Sequence, residues 1–554
     1  MTNSSPAGSV ASIPPASTLD ETKRTASRII AWFRTQLGMR SCTLALFLLI
    51  LLVGIFSRVW QFNQVPPGLN QDEASIGVEA YDLLHFGVDR NGISFPVNFI
   101  SWGYGMDALY GYLLIPFVLF GLTSFLIRLP SLITGILTLP LVYFIAKRTL
   151  GPGFGLLAMF LLAISPWHII LSRWGLNENI VPFIFCLGVA CLLLSSRTNS
   201  WFVAAAAIFG LSLYAYAALY VAVPIFMLIT IPLLLRAKRL GKRSLLIGTA
   251  VFLALAIPLL LFVMVNSLGW NPIRLWIFTI PRLPVKARFL SMAAVSHSAP
   301  LATMIGNLRG MVKLLLVNQT DGMIWNDIVP FGYMYSFSIV LAIVGAVLLI
   351  PRNRLEGELE RLLLLAWLAA AFCIGLVQSV SVNRLGLIFL PLILCTAACL
   401  DWLGHQSWLA LAAVIGIYLI SFFMFTNVYH SSEYRESADS WFFTGLIPAL
   451  QQASQEGRQP ICITDSVNMP YIYVLFVEKM NPTKFLQEVQ YLDPDLQSGI
   501  VRSLGRYTFG VKNCPVDPAT VYVLEGEKPP VNGVMYVVKN YNRFQVYSPV
   551  LPQQ

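Results

Sequence analysis

Apolar blocks of about 16–20 residues recur along this chain, and each is long enough for a helix to cross the hydrocarbon of a bilayer. They read as roughly 42–57, 129–146, 153–170, 179–195, 202–217, 219–235, 245–264, 334–350, 361–377, 384–400 and 407–425. Lipid offers no partners for backbone N–H and C=O groups, so such blocks must be helices. Composition agrees. Of 554 residues, 56% are hydrophobic and 12% charged, whereas a soluble domain carries about a quarter charged. The sequence predicts an all-α polytopic membrane protein with about eleven spans.

Charge sets the orientation. Arg236, Lys238, Arg239, Lys242 and Arg243 crowd one short loop; Lys147-Arg148 and Arg352 to Arg361 mark two others. The positive-inside rule places all three in the cytoplasm, together with the basic N-terminal tail 1–41. The net charge of +10 is thereby an orientation signal rather than a nucleic-acid footprint. The stretch 108–122 is apolar enough to span, but a crossing there would turn the basic loops outward. With Gly111, Pro116 and Gly121 inside it, it reads as a re-entrant or interfacial helix. The outer face then holds the loops 58–128, 171–178, 265–333 and 378–383, and the tail 426–554. The expected placement is a multi-pass cell (inner or plasma) membrane protein, N-terminus cytoplasmic and C-terminus extracytoplasmic.

The tail is polar enough to fold in water. Residues 460–464, 521–524 and 533–538 read as strands, and 470–480 and 483–491 as helices. A small α/β domain at 426–554 is expected. Cys462 and Cys514 lie in it and can pair if it is extracytoplasmic. The other six cysteines sit in apolar segments as packing residues. No metal-ligand spacing of Cys or His is present, so no cofactor is expected, with a divalent metal left open.

The chemistry-bearing residues gather on the outer loops. Asp72-Glu73 follow the first span closely, in a loop that also holds Tyr81, Trp102, Tyr104 and Asp107 as candidates for substrate binding. Arg128, Arg173 and Arg384 stand at the outer ends of spans, where charge is costly and commonly functional. Guanidinium forks suit phosphate oxygens. A lipid-linked phosphate sugar fits this pattern: the tail in the bilayer, the phosphate at the interface on the three arginines, the sugar beyond. A carboxylate would deprotonate an acceptor for attack on the anomeric carbon, and the arginines would stabilise the leaving phosphate.

Asp72-Glu73, the Arg-Leu-Pro-Ser string at 128–131, the Ser-Pro and Ser-Arg pairs around 165–173, and the Asn-Arg-Leu…Leu-Pro string at 383–391 resemble the C-type membrane glycosyltransferases (the GT-C fold). The likeness is to the family-39 group, protein O-mannosyltransferases and bacterial aminoarabinose transferases for lipid A, over 42–425. The run Tyr471 to Phe476 resembles the outer domain of bacterial members. The resemblance implies an inverting, polyprenyl-phosphate-sugar-dependent transferase of the cell envelope, moving a hexose or pentose to a glycan, lipid or protein acceptor. It implies Asp72 as base, Glu73 as the adjoining acid, and Glu178 as the acidic residue of the second loop. Asn177-Glu178-Asn179 is no paired-carboxylate motif, which argues against a metal-bridged mechanism. The Lys-Pro-Pro string of aminoarabinose transferases is replaced by Gly103 to Asp107, so the phosphate role falls on arginines. Two rival classes are a polysaccharide polymerase or ligase and a lipid-linked-sugar transporter. The first normally lacks an early Asp-Glu pair. The second should show internal repeats and mid-span charges, and neither is evident.

Overall fold

Nine helices among the described residues are long and apolar enough to cross a membrane. The computed structural model describes residues 41–285, 293–294, 298–352, 355–457, 459–492 and 500–550. The expected cytoplasmic tail, but for Ser41, lies outside them. The chain opens with α1 (Ser41–Val59), then α2 (Gln71–Phe86), a hairpin β1 (Asn98–Ser101) and β2 (Tyr104–Asp107), and α3 (Leu109–Val118). At ten residues, α3 is about 15 Å long, half the thickness of a bilayer core. Next come α4 (Ser124–Leu150), α5 (Pro152–Ala163), α6 (Pro166–Leu171), a 3-10 turn (Asn177–Ile180) continuous with α7 (Val181–Leu194), α8 (Ser200–Ser212), α9 (Leu219–Arg236) and α10 (Lys242–Leu268).

The stretch 265–333, expected as a loop, contains more structure than its sequence suggested. It holds a hairpin, β3 (Ile273–Leu275) with β4 (Phe278–Ile280), and α11 (Pro300–Val312), which runs on as a π-helical turn to Asn318. Although α11 is among the nine, it is tied to the C-terminal end of the later helix Leu355–Val377. Asn307 Nδ2 donates to Leu376 O at 3.1 Å. Before α11, Ala293 bridges Gln378; after it, Trp325 reaches the same end of the bundle. The remaining helices are α12 (Ser338–Leu348), α13 (Leu355–Val377), α14 (Val382–Gln406) and α15 (Trp408–Tyr429). Setting α11 aside, the other eight together with α5–α6, α8 and α12 fall on the eleven apolar stretches read from the sequence.

Breaks inside the bundle satisfy one another. Pro166 has no N–H and ends α5. The carbonyl of Ile164 is met by the Tyr335 hydroxyl at 2.7 Å, and Trp167 N donates to Tyr333 O at 3.1 Å. Irregular backbone at this depth persists only when protein groups pair it. Close helix contact has a similar local cause. A Cβ at Gly345 of α12 would collide with the Cys395 carbonyl of α14, so the glycine permits the approach. Arg239 pairs with Glu360 at 2.6 Å, and Arg148 lies within electrostatic reach of Arg197, Arg239 and Glu360. The basic loops thus share one end of the bundle.

The tail starts with α16 (Ser432–Phe442) and α17 (Leu446–Ser454), and its seven-stranded sheet runs β10-β11-β9-β5-β8-β7-β6. The central strand β5 (Ile461–Ile463) is parallel to β8 (Tyr507–Phe509) and β9 (Val521–Leu524). The other neighbours, β6 (Val489–Tyr491), β7 (Val501–Leu504), β10 (Tyr536–Tyr541) and β11 (Phe544–Pro549), pair antiparallel. All residues of β5 and β9 are buried, the unbroken apolar pattern of a covered sheet. The strand expected at 533–538 begins only at Tyr536, because Gly533 turns at φ +79°. Cys462 and Cys514 are disulfide-bonded. Helices α18 (Pro470–Glu478) and α19 (Pro482–Glu488) complete the domain, and α18 packs on α2.

Candidate active site

The start of α2 is where the tail meets the bundle. Leu69 N donates to Phe442 O, Asn70 Nδ2 to Trp441 O at 3.0 Å, and the Tyr473 hydroxyl to Leu69 O at 3.1 Å. Gly68 adopts φ +61°, and a Cβ there would strike the Phe442 carbonyl; this close approach needs glycine. Asn70 then caps α2. Its Oδ1 accepts from Asp72 N at 2.9 Å, and Glu73 Oε2 accepts from Asn70 N at 3.2 Å, a reciprocal capping box.

Consecutive helix residues point about 100° apart, and this separates the acidic pair. Asp72 faces a cavity of about 340 Å³, of the size that holds a small ligand. Its Oδ1 accepts from the Trp102 indole N–H at 2.9 Å. Glu73 turns into the protein and is fully buried. It forms a two-pronged ion pair with Arg128, Nε to Oε1 at 2.7 Å and Nη2 to Oε2 at 2.8 Å, and Oε1 also accepts from Gly175 N at 2.8 Å. The catalytic role expected of Glu73 does not suit this geometry: its oxygens are satisfied and away from the cavity. The capping-box spacing Asn70…Glu73 is the sequence signal that marks it as a helix-start residue.

Two of the three arginines are displaced from the expected phosphate site for the same reason. Arg128 is buried on Glu73 and on the carbonyls of Pro66 and Gly68 at 2.9 and 3.0 Å. Arg173 is equally buried. It bonds the carbonyls of Ser57, Arg58, Gln61 and Val65 at 2.9–3.3 Å, capping the C-terminal end of α1, where a cation is favoured. Arg58, which the sequence reading passed over, does the same for α5, bonding Leu162 O and Ala163 O at 3.1 Å. Of the three predicted arginines, only Arg384 lines the cavity. It is half-buried, and its Nη1 bonds Ser379 O at 3.0 Å and Ser379 Oγ at 2.6 Å.

Glu178 also lines the cavity, accepting from Asn383 Nδ2 at 2.8 Å. Trp102, Tyr104 and Asp107 are there too. Asp107 is held by Ala217 N at 2.9 Å and the Tyr220 hydroxyl at 3.2 Å. Burial pushes its carboxyl up to about 7, against the pull of these two donors. Tyr81 is not part of the cavity. It stacks on His85 at 4.0 Å, with Lys479 above its ring.

The cavity also draws on residues that sequence alone did not gather. Tyr216, Ala217 and Ala218 come from the turn between α8 and α9, and Trp174, Trp325 and Trp441 supply aromatic walls. Trp325 and Trp441 meet edge to face at 4.6 Å, joining the bundle to the tail. Four helical segments, starting at Gln71, Asn177, Leu219 and Val382, begin at its wall. Helix N-termini favour anions. One wall thus presents a carboxylate and another a guanidinium, in a space that suits a phosphorylated, hydroxyl-rich ligand. Among the described residues no group of three or more His, Cys, Asp and Glu side chains comes together as a metal site.

Residues 110–262, less than half of the chain, match the family model for dolichyl-phosphate-mannose-protein mannosyltransferase. The fold is shared with ArnT from Cupriavidus metallidurans. In the apo state the TM-score is 0.56 at 14% identity, covering 92% of this chain and 99% of that one. For ArnT bound to undecaprenyl phosphate it is 0.56 at 13%, covering 93% and 100%. The Archaeoglobus fulgidus oligosaccharyltransferase in the apo form aligns at 14% identity with a TM-score of 0.48, over 80% of this chain and 64% of its own. The chain therefore spans less than two thirds of that enzyme. No curated protein matches in sequence.

Proposed function

We propose that this protein transfers a sugar from a polyprenyl-phosphate donor to an acceptor hydroxyl or amine in the cavity at the end of α2. Asp72 takes the acceptor proton as the acceptor attacks the anomeric carbon. The bond to the lipid phosphate breaks, and the phosphate leaves with its charge facing Arg384. A single displacement inverts the anomeric centre. Glu178, fixed by Asn383, borders the same space, and Trp102, Tyr104 and Asp107 complete the wall around the substrates. The observation that carries this reading is the placement of Asp72 and Arg384 on one cavity, while Glu73, Arg128 and Arg173 are taken up by the scaffold. The ArnT structure bound to undecaprenyl phosphate supports the choice of donor class.

The cavity end faces away from the cytoplasm, in the cell membrane. Lys147, Arg148, Arg239 and their neighbours mark the opposite end as cytoplasmic, and the Cys462–Cys514 disulfide fits an oxidising compartment. The reading is tested by incubating the purified protein with a panel of polyprenyl-phosphate sugars and following release of the lipid carrier. Release with one or more donors is expected; none across the panel, with folded protein, would contradict it.

A further inference from the structure

Trp102 was expected at the cavity as a substrate contact, yet its polar atom is turned to protein. The indole N–H is bonded to Asp72 Oδ1, and the ring is held from two other sides. On one side lies Arg90, its guanidinium 5.1 Å from the ring centroid. Arg90 is buried and fixed in turn: Nε to Glu79 Oε1 at 3.2 Å, Nη1 to Ser75 Oγ at 2.7 Å, Nη2 to Ile100 O at 3.3 Å. On another side, Tyr471 of the tail meets the ring edge to face at 6.0 Å. Tyr471 is itself buried and stacked on Phe485. The backbone of Trp102 sits at φ +55°, a region a bulky side chain adopts only when its surroundings hold it there. An indole that merely stacked on a passing sugar would need none of this.

We propose that Trp102 is the positioning residue for Asp72, and that the tail reaches the reaction through Tyr471, which holds Trp102 against Arg90. The inference rests on the reading of Asp72 as the base. The indole N–H stabilises the ionised carboxylate and fixes the orientation of the group through its Oδ1. The other charged and titratable groups around Asp72 include Glu73 on its own helix, paired with Arg128; Tyr473 from the tail; and Arg384, Glu178, Asp107, Tyr104 and Tyr216 around the cavity.

The test uses the full chain labelled with 5-fluorotryptophan. The Trp102 signal is identified by its loss in Trp102→Phe and followed through a pH titration by fluorine NMR. It should move with pH in the wild type and stay flat in Asp72→Asn. Tyr471→Ala should shift its position and move the titration midpoint to higher pH, as the indole loosens its hold on the carboxylate. A Trp102 signal indifferent to Asp72→Asn and to Tyr471→Ala would overturn the inference without any turnover assay. With the donor selected by the panel, Trp102→Phe should lower kcat roughly tenfold, leave the donor KM within about twofold, and move the acid limb of the pH profile upward. An unchanged acid limb beside an inactive Asp72→Asn would overturn the positioning role alone. A fully active Asp72→Asn would instead overturn the base itself.

Discussion

At the scale of single residues, the arginines at the span ends fall into two classes. Arg128 and Arg173 hold the scaffold. Arg128→Ala would leave Glu73 buried without its partner, a loss of roughly 3–5 kcal/mol for a broken buried pair, and should appear as a lower melting temperature and poor yield. Arg128→Met with Glu73→Gln should be milder than either change alone, because no charge is then stranded. Arg384→Ala should behave oppositely, with a melting temperature near wild type and weaker binding of undecaprenyl phosphate. Arg384→Lys should recover binding only in part, since the two-pronged contact is lost. Direct binding measurements and thermal melts on the same preparations separate the two classes. The sequence placed all three arginines at span ends, but it did not separate Arg128 and Arg173, which are taken up by backbone carbonyls, from Arg384, which lines the cavity. What distinguishes them is whether backbone carbonyls of another helix end lie within reach, and only the packed bundle decides that.

The element that organises the site is α2 with the hairpin behind it. It carries a buried acidic group: Glu79, Asp82 and Asp89 around Arg90. Burial pushes Glu79 up to about 8 and Asp82 up to about 9. For Glu79 the neighbouring Arg90 works against the shift, while for Asp82 the Glu79 carboxyl adds to it. The folded state therefore holds protons that the unfolded chain has already released. The stabilisation from these groups is complete below their ordinary range and is lost as pH rises through about 8 to 9. Thermal melts should fall between about pH 6 and about pH 9, and Asp82→Asn should flatten that fall. A pH-independent melting temperature would remove the buried acidic group from the account. The existence of α2 was only half legible. Asp72 was evident as a carboxylate beside a span, and Asn70…Glu73 is a capping box in plain view. That Asp72 and not Glu73 faces the cavity depends on helical phase, which is fixed only once Asn70 sets where the helix begins.

For the whole molecule, lipid did most of the specifying. Span length and basic loops follow from the bilayer alone, which is why the eleven apolar helical stretches were readable from sequence. The contributions from Tyr216 to Ala218, Trp325 and Trp441 were not, because they meet only through long-range packing of bundle and tail. The arrangement makes a topological prediction. In a background lacking Cys42, Arg243→Cys should be shielded from a membrane-impermeant thiol reagent in intact cells, and Ile500→Cys should react. The reverse pattern would put the cavity on the cytoplasmic side.

The central claim is that Asp72 is the base at this cavity, and one substitution tests it most directly. Asp72→Asn preserves the shape of the side chain and can still bond its neighbours, but it cannot take a proton. Carrier release from the polyprenyl-phosphate donor should be abolished while the melting temperature stays close to wild type. Near-normal release by the asparagine variant would contradict the account.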